Sequence, residues 1–270
     1  MNTSTRVRPP AVAGMFYPDD PQTLRSTIVR YLEAAAEDEA GLKPQPLKAL
    51  IVPHAGYIYS GPVAAHAYAR LIPQRNEIRR VILLGPAHRV AFRGLAAPSV
   101  DGFMTPLGRV PLDREAIEHL RELPFVIESD TPHAQEHSLE VQLPFLQVVL
   151  GDGFKLVPIV VGDASPEEVS RVLELFWDDP HTLILISSDL SHYLDYFSAR
   201  ELDRLTAEAI EHLEPEAIAY EQACGRIPIQ GLLLEARRHG AHVKRLDLRN
   251  SGDTAGPREQ VVGYGAWEVA

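Results

Sequence analysis

Three histidines stand at equivalent places in the chain. His54 follows the apolar run Ala49–Val52, His88 follows Val81–Leu84, and His192 follows Leu183–Ile186. Imidazole is the commonest metal-binding side chain and a proton carrier near neutral pH. Pro53 and Pro86 stiffen the backbone just before two of the three rings. A group on a short, stiff strand exit holds its position better than one on a long loop. One such histidine alone reads as an ordinary loop residue. Three at matching exits read as one site, because parallel strands of an open α/β sheet present their carboxyl ends to a common crevice.

Two neighbouring residues belong to the same question. Asp189, three positions before His192, either accepts a ring N–H and fixes an imidazole tautomer or caps a turn within Ser187-Ser188-Asp189. Cys224 is the one thiol among 270 residues. It is either an inert buried residue or a soft ligand suited to iron, copper or zinc, and Arg226 beside it favours the charged form. A single cysteine excludes an internal disulfide and any zinc site with two cysteines from one chain.

A competing pattern is His133-Ala134-Gln135-Glu136-His137. This is the order of inverted zinc peptidases, with two histidines on one helical face and glutamate as base, so zinc hydrolase is an alternative reading. Against it, Pro132 puts His133 in a first helical turn, and Pro144 interrupts the helix that follows. A place for His137 alone at the rim of the site is the better version.

These residues need a scaffold of strands and helices in alternation. Ala49–Val52, Val81–Leu84, Leu156–Val161 and Leu183–Ile186 read as buried strands. Helical patterns cover about Asp20–Ala36, Val63–Leu71, Pro166–Phe176 and Ala199–Leu213. The alternation predicts an α/β fold with a mostly parallel, mixed sheet flanked by helices. Strands at about Ala241–Leu248 and Val261–Val269 predict an antiparallel addition at its edge, and Gly94–Leu112 a hairpin. Ala34–Pro46 reads as a linker, too close to the start to divide two domains, so residues 1–270 are taken as a single domain. The loop Asn250–Gly256 either cradles an anion or is a plain turn, and composition favours the turn.

Composition narrows the function classes. Hydrophobic residues make up 45% and charged residues 23%, the balance of a folded globular protein. A net charge of −11 without a basic patch argues against nucleic acid as partner. No apolar run approaches the roughly 20 residues of a membrane span, and Met1–Pro10 lacks a signal-peptide pattern. The expectation is a cytoplasmic protein with no membrane partner. Nucleotide-binding glycine motifs are missing.

The ordered motifs resemble the Memo family, whose prokaryotic members are called AmmeMemoRadiSam system protein B. They begin at Ala13–Pro18 and run through Pro53-His54-Ala55-Gly56-Tyr57, Gly85-Pro86-Ala87-His88, Glu136–Glu140 and Ser187–His192. They continue with Ala223-Cys224-Gly225-Arg226 and Asn250–Thr254, and end at Gly263–Ala266. The resemblance implies a fold similar to the class III extradiol dioxygenases, with His54, His88 and Cys224 as metal ligands and His192 as the acid/base histidine. It implies iron(II) or copper in a redox role, with cysteine where those dioxygenases have glutamate. It further implies a small molecule or peptide in the crevice, with His137 and Tyr57 on the substrate, and a pathway shared with a radical-SAM protein. A metal-dependent oxidoreductase is the first expectation; a non-catalytic metal- or peptide-binding module is the alternative.

Overall fold

The computed structural model describes residues 6–38 and 46–270. Its elements are β1 (Val7–Arg8), α1 (Pro21–Asp38), β2 (Ala49–Val52), α2 (Tyr57–Ala69), β3 (Arg80–Pro86), β4 (Leu95–Ala97), β5 (Gly102–Thr105), β6 (Gly108–Pro111), α3 (Arg114–Leu120) and β7 (Val126–Glu128). They continue with α4 (Thr131–Ala134), α5 (Leu143–Leu150), β8 (Lys155–Val161), α6 (Pro166–Trp177), β9 (Thr182–Ser187), β10 (His192–Leu194), α7 (Tyr196–Glu211), α8 (Arg226–Arg238), β11 (Val243–Asn250) and β12 (Val261–Val269).

The four runs of apolar residues become the centre of a mixed sheet in the order β10-β12-β2-β9-β3-β8-β4-β7, with β11 also paired to β12. β2, β9, β3 and β8 are parallel neighbours. Every residue of β2 and β9 is buried, which is why these segments show no polar alternation: both faces of a parallel sheet are covered. One helical group, α1, α2 and α5, packs together, and a second, α6 and α8, packs on β3 and β9. β12 runs antiparallel to β2, β10 and β11, so the expected antiparallel addition is present. The architecture is the expected α/β class, a mixed central sheet flanked by helices. No described helix is long and apolar enough to cross a membrane.

Local chemistry sets the element ends. α6 opens on a capping box in which Ser165 accepts the Glu168 N–H and Glu168 accepts the Ser165 N–H. α7 opens on Asp195, whose carboxylate accepts from Phe197 and Ser198. Two expectations about helices change. α2 begins at Tyr57 rather than Val63 and carries Pro62 inside it. That proline removes only one hydrogen bond near the helix start, a cost that packing of the buried helix overrides. Pro144 lies at the start of α5 and begins that helix instead of interrupting it.

The linker expectation is corrected at its start, because Ala34–Asp38 continue α1; residues 39–45 lie outside the described residues. The hairpin in Gly94–Leu112 is β5–β6, which forms a separate small sheet with β1, while β4 joins the main sheet beside β8.

Candidate metal centre

Adjacent parallel strands β2, β9 and β3 end side by side, so the loops that follow them meet. His54 leaves β2, Ser188-Asp189 leave β9, and His88 leaves β3. The three potential ligand atoms of His54, His88 and Cys224 lie within 4.8 Å of one another. His54 Nε2 is 3.3 Å from Cys224 Sγ, and the His54 and His88 rings meet edge to face at 5.2 Å. His192, the first residue of β10, lines the same cleft as His88 and Cys224.

Hydrogen bonding fixes which ring nitrogen of each histidine faces the centre. Ser187 Oγ donates its one proton to the Ser138 carbonyl at 2.6 Å and accepts from Gln142 Nε2 at 2.8 Å. It can therefore only accept from His54 Nδ1, 2.9 Å away. His54 is an Nδ1–H tautomer with a lone pair on Nε2. His88 Nδ1 faces Glu136 Oε1 at 2.8 Å; a carboxylate only accepts, so Nδ1 again carries the proton and Nε2 carries the free lone pair. This is the outer-shell arrangement that orients metal-binding imidazoles.

Cys224 reaches the centre from the loop before α8. Its N–H donates to the Asp189 carbonyl at 3.3 Å. The next residue, Gly225, sits so close to Ser188 that a Cβ there would lie 2.6 Å from Ser188 Cβ. Glycine is required for that approach. Burial, reinforced by Asp189, pushes the thiol up to about 12. The protonated sulfur lies 3.3 Å from the His54 lone pair and 3.6 Å from the Asp189 carbonyl, either of which can take its hydrogen, and a cation displacing that one proton would meet two imidazole lone pairs and a thiolate. The donor set fits a soft or borderline metal such as iron, copper or zinc. Ligand distances of about 2.0–2.3 Å require the side chains to close in slightly.

The remaining expected residues fall as follows. His137 stacks on His88 with centroids 4.6 Å apart and faces Phe16 at 4.8 Å, so it borders the centre. Burial lowers it to about 4 and keeps it neutral. Its Nδ1 comes within 3.4 Å of Glu136 Oε1 without forming an aligned hydrogen bond.

Asp189 is buried, and desolvation raises it to about 7 against the opposing His54 N–H. Oδ1 of that carboxylate accepts the His54 backbone N–H at 2.7 Å. Among the described residues no hydrogen bond joins it to His192. It fills neither expected role: the carboxylate clamps the His54 loop to the β9 exit. Tyr57, expected on the substrate, is a core residue instead. Its ring packs on Tyr17 and Phe145, and its hydroxyl donates to the Val141 carbonyl at 2.7 Å.

The inverted-peptidase pattern is not assembled. α4 ends at Ala134, so His133 and His137 do not share a helix face. His133 is buried with Nε2 on the Ala96 carbonyl at 2.9 Å. Glu136 cannot act as base: its two oxygens take the His88 N–H and ring N–H and the N–H groups of His137 and Ser138. Burial raises its carboxyl, but the bonds from His88 and Ser138 outweigh this and hold it at about 2.

His133 carries a consequence for stability. Burial lowers its ring from 6.5 to about 4. As pH falls, the unfolded chain takes up this proton first. The stability from the neutral ring is complete above about pH 6.5 and is lost as pH falls towards 4, a difference on the order of 3 kcal/mol. Urea unfolding at pH 7 and pH 4.5 measures it. His133→Gln should reduce the difference between the two pH values by roughly 2–3 kcal/mol; an unchanged difference contradicts the assignment.

Glu136, Ser187 and Gln142 are positioning residues: spacing singled out Glu136 only as a base, and did not single out Ser187 or Gln142. Glu136 and Ser187 did fall inside recognised motifs, which is the signal that points to them. Gln142 lies just beyond one, and no feature of the sequence marks it.

The fold and the site define a Memo-like protein. A family model described as Memo-like protein matches residues 8–268. A MEMO1 family protein of Aquifex aeolicus is 39% identical, with 96% of this chain and 97% of that protein aligned. One of Ignicoccus hospitalis is 38% identical over 96% and 97% of the two chains, and one of Methanopyrus kandleri is 36% identical over the same shares. The chain belongs to the Memo-like family. Among solved structures, an uncharacterized Escherichia coli protein matches with a TM-score of 0.53 at 12% identity, over 83% of this chain and all of that one. That likeness concerns the fold alone.

Proposed function

We propose that the chain is a metal-dependent oxidoreductase of dioxygenase-like fold, with His54, His88 and Cys224 holding iron(II) or copper. The observation that carries this reading is the pair of imidazole lone pairs, each locked by an outer-shell partner, facing a lone thiol at 3.3 Å from the nearer ring. Such a metal supplies one-electron chemistry and open coordination positions. His192 stands across the cleft as the proton carrier; burial lowers its ring and keeps it neutral, ready to accept a proton from a bound molecule. Asp189 positions the His54 loop, and His137 forms the rim against which a small molecule or peptide would lie.

A cytoplasmic setting, where thiols stay reduced, suits a cysteine ligand, and a pathway shared with a radical-SAM protein suits a redox role. Anaerobic titration of chelator-free protein with copper or iron tests the reading. Saturation at one metal per chain with a thiolate charge-transfer band is expected. Saturation without that band, or no binding, contradicts it. Metal binding with no oxygen uptake under any reductant would favour the alternative, a non-catalytic binding module.

Glu136→Gln should weaken metal binding by about 10–100-fold, because an outer-shell partner of a ligating histidine is lost. Competition against a chelator reads this. The charge-transfer band should persist, since Cys224 is untouched.

A further inference from the structure

The cleft beside Cys224 measures about 880 Å3, the size of a small-molecule site. Val90, Phe92, Val161, Ala164 and Ile227 give it an apolar wall. Arg226 lines the same cleft and is half-buried. Its guanidinium carbon lies 5.5 Å from the Tyr220 ring centroid, a cation–π contact that uses none of its N–H donors and leaves the fork for another partner. Among the described residues, Arg226 makes no side-chain hydrogen bond or ion pair.

Among the described arginines that are not exposed, that is the exception: Arg8, Arg70, Arg80, Arg114 and Arg249 each pair with a carboxylate. The chain has 37 acidic residues against 26 basic ones, and its most buried arginines, Arg8 and Arg70, are each paired with a glutamate. The other charges at the cleft, Arg89, Asp163 and Glu221, are exposed to solvent. Arg226 also opens α8, whose first turn carries no acidic residue, so the helix end adds to its positive field.

From this geometry we infer that the cleft takes a small organic acid, its apolar body against the Phe92 wall and its carboxylate on the Arg226 fork. The inference deepens the proposed function by naming its substrate class, and it rests on that reading only for the chemistry that follows binding. A planar carboxylate matches a guanidinium fork through two parallel hydrogen bonds.

Calorimetric titration of the metal-free full-length protein with phenylacetate and with neutral phenylacetamide tests it. Wild type should bind the acid about tenfold more tightly than the amide, a difference of about 1.4 kcal/mol. Arg226→Gln should abolish the preference without changing the affinity for the amide. Arg226→Lys, which keeps the charge and loses the fork, should retain part of it. Equal binding of acid and amide by wild type, a preference that survives in Arg226→Gln, or no binding of either probe at 10 millimolar (about the upper limit of a specific site) would overturn the inference. Because no metal is present, acid selectivity without any affinity for iron or copper sinks only the redox reading. Metal binding without acid selectivity sinks only this one.

Discussion

Cys224→Ser and His54→Ala should each lower the affinity for copper or iron by on the order of 100–1,000-fold. The size follows from the free energy that protein ligands supply to a metal site, about 10–16 kcal/mol shared among four ligands in structural zinc sites. Removing one of three takes away a comparable share. The two substitutions act differently. Cys224→Ser replaces a soft thiolate with a hydroxyl that does not ionise at neutral pH, so the charge-transfer band disappears with the affinity. His54→Ala removes a neutral nitrogen whose partner Ser187, itself held by Gln142, remains in place; the band should shift and weaken while residual binding through His88 and Cys224 persists. Competition with a chelator of known affinity gives both numbers. An affinity within threefold of wild type for either variant would mean that the centre lies elsewhere.

Glu140→Ala should destabilise the folded protein by about 3–5 kcal/mol, the cost of leaving a buried charge without its partner. Glu140 is fully buried and accepts from four donors: Arg8 Nη1 at 2.7 Å, the Ala11 and Val12 N–H groups at 2.8 and 3.0 Å, and the Tyr17 hydroxyl at 2.6 Å. Arg8 in turn donates to the carbonyls of His133 and Glu136. This network ties the N-terminal segment to the segment that carries Glu136 and His137, and it seats Phe16 against His137. Denaturant unfolding at neutral pH measures the loss. The paired change Arg8→Met with Glu140→Leu should recover part of it, because apolar residues of similar volume replace a buried ion pair at little cost. A loss below 1 kcal/mol for Glu140→Ala would show that water reaches Arg8 in the folded state (exposed ion pairs fall at or below that value).

The parts of the fold that were legible in the sequence are those where burial dictates residue type. The strands β2, β3, β8 and β9 are buried on both faces, and their apolar runs placed them within two residues of their observed ends. The histidines at their exits were legible for the same reason: polar residues directly after a buried strand stand out. Cys224 stood out as a candidate ligand only through family resemblance, because its distance to His54 depends on Gly225 packing against Ser188, a contact between segments far apart in the chain.

The errors have physical causes too. Tyr57 stands beside His54 in the motif, but helix periodicity turns it inward to Tyr17 and Phe145. Asp189 was read against its sequence neighbour His192, whereas its bonding partner lies across the sheet at His54. Glu136 resembles a catalytic base by spacing, yet all its acceptor capacity goes to nearby N–H groups.

Anomalous diffraction from crystals of chelator-free protein, recorded on both sides of the iron and copper absorption edges, tests the central claim most directly. One peak is predicted, about 2.0–2.3 Å from His54 Nε2, His88 Nε2 and Cys224 Sγ, with Cys224 no longer protonated. A peak held by other residues, or a metal-soaked crystal with no peak at this position, would contradict it.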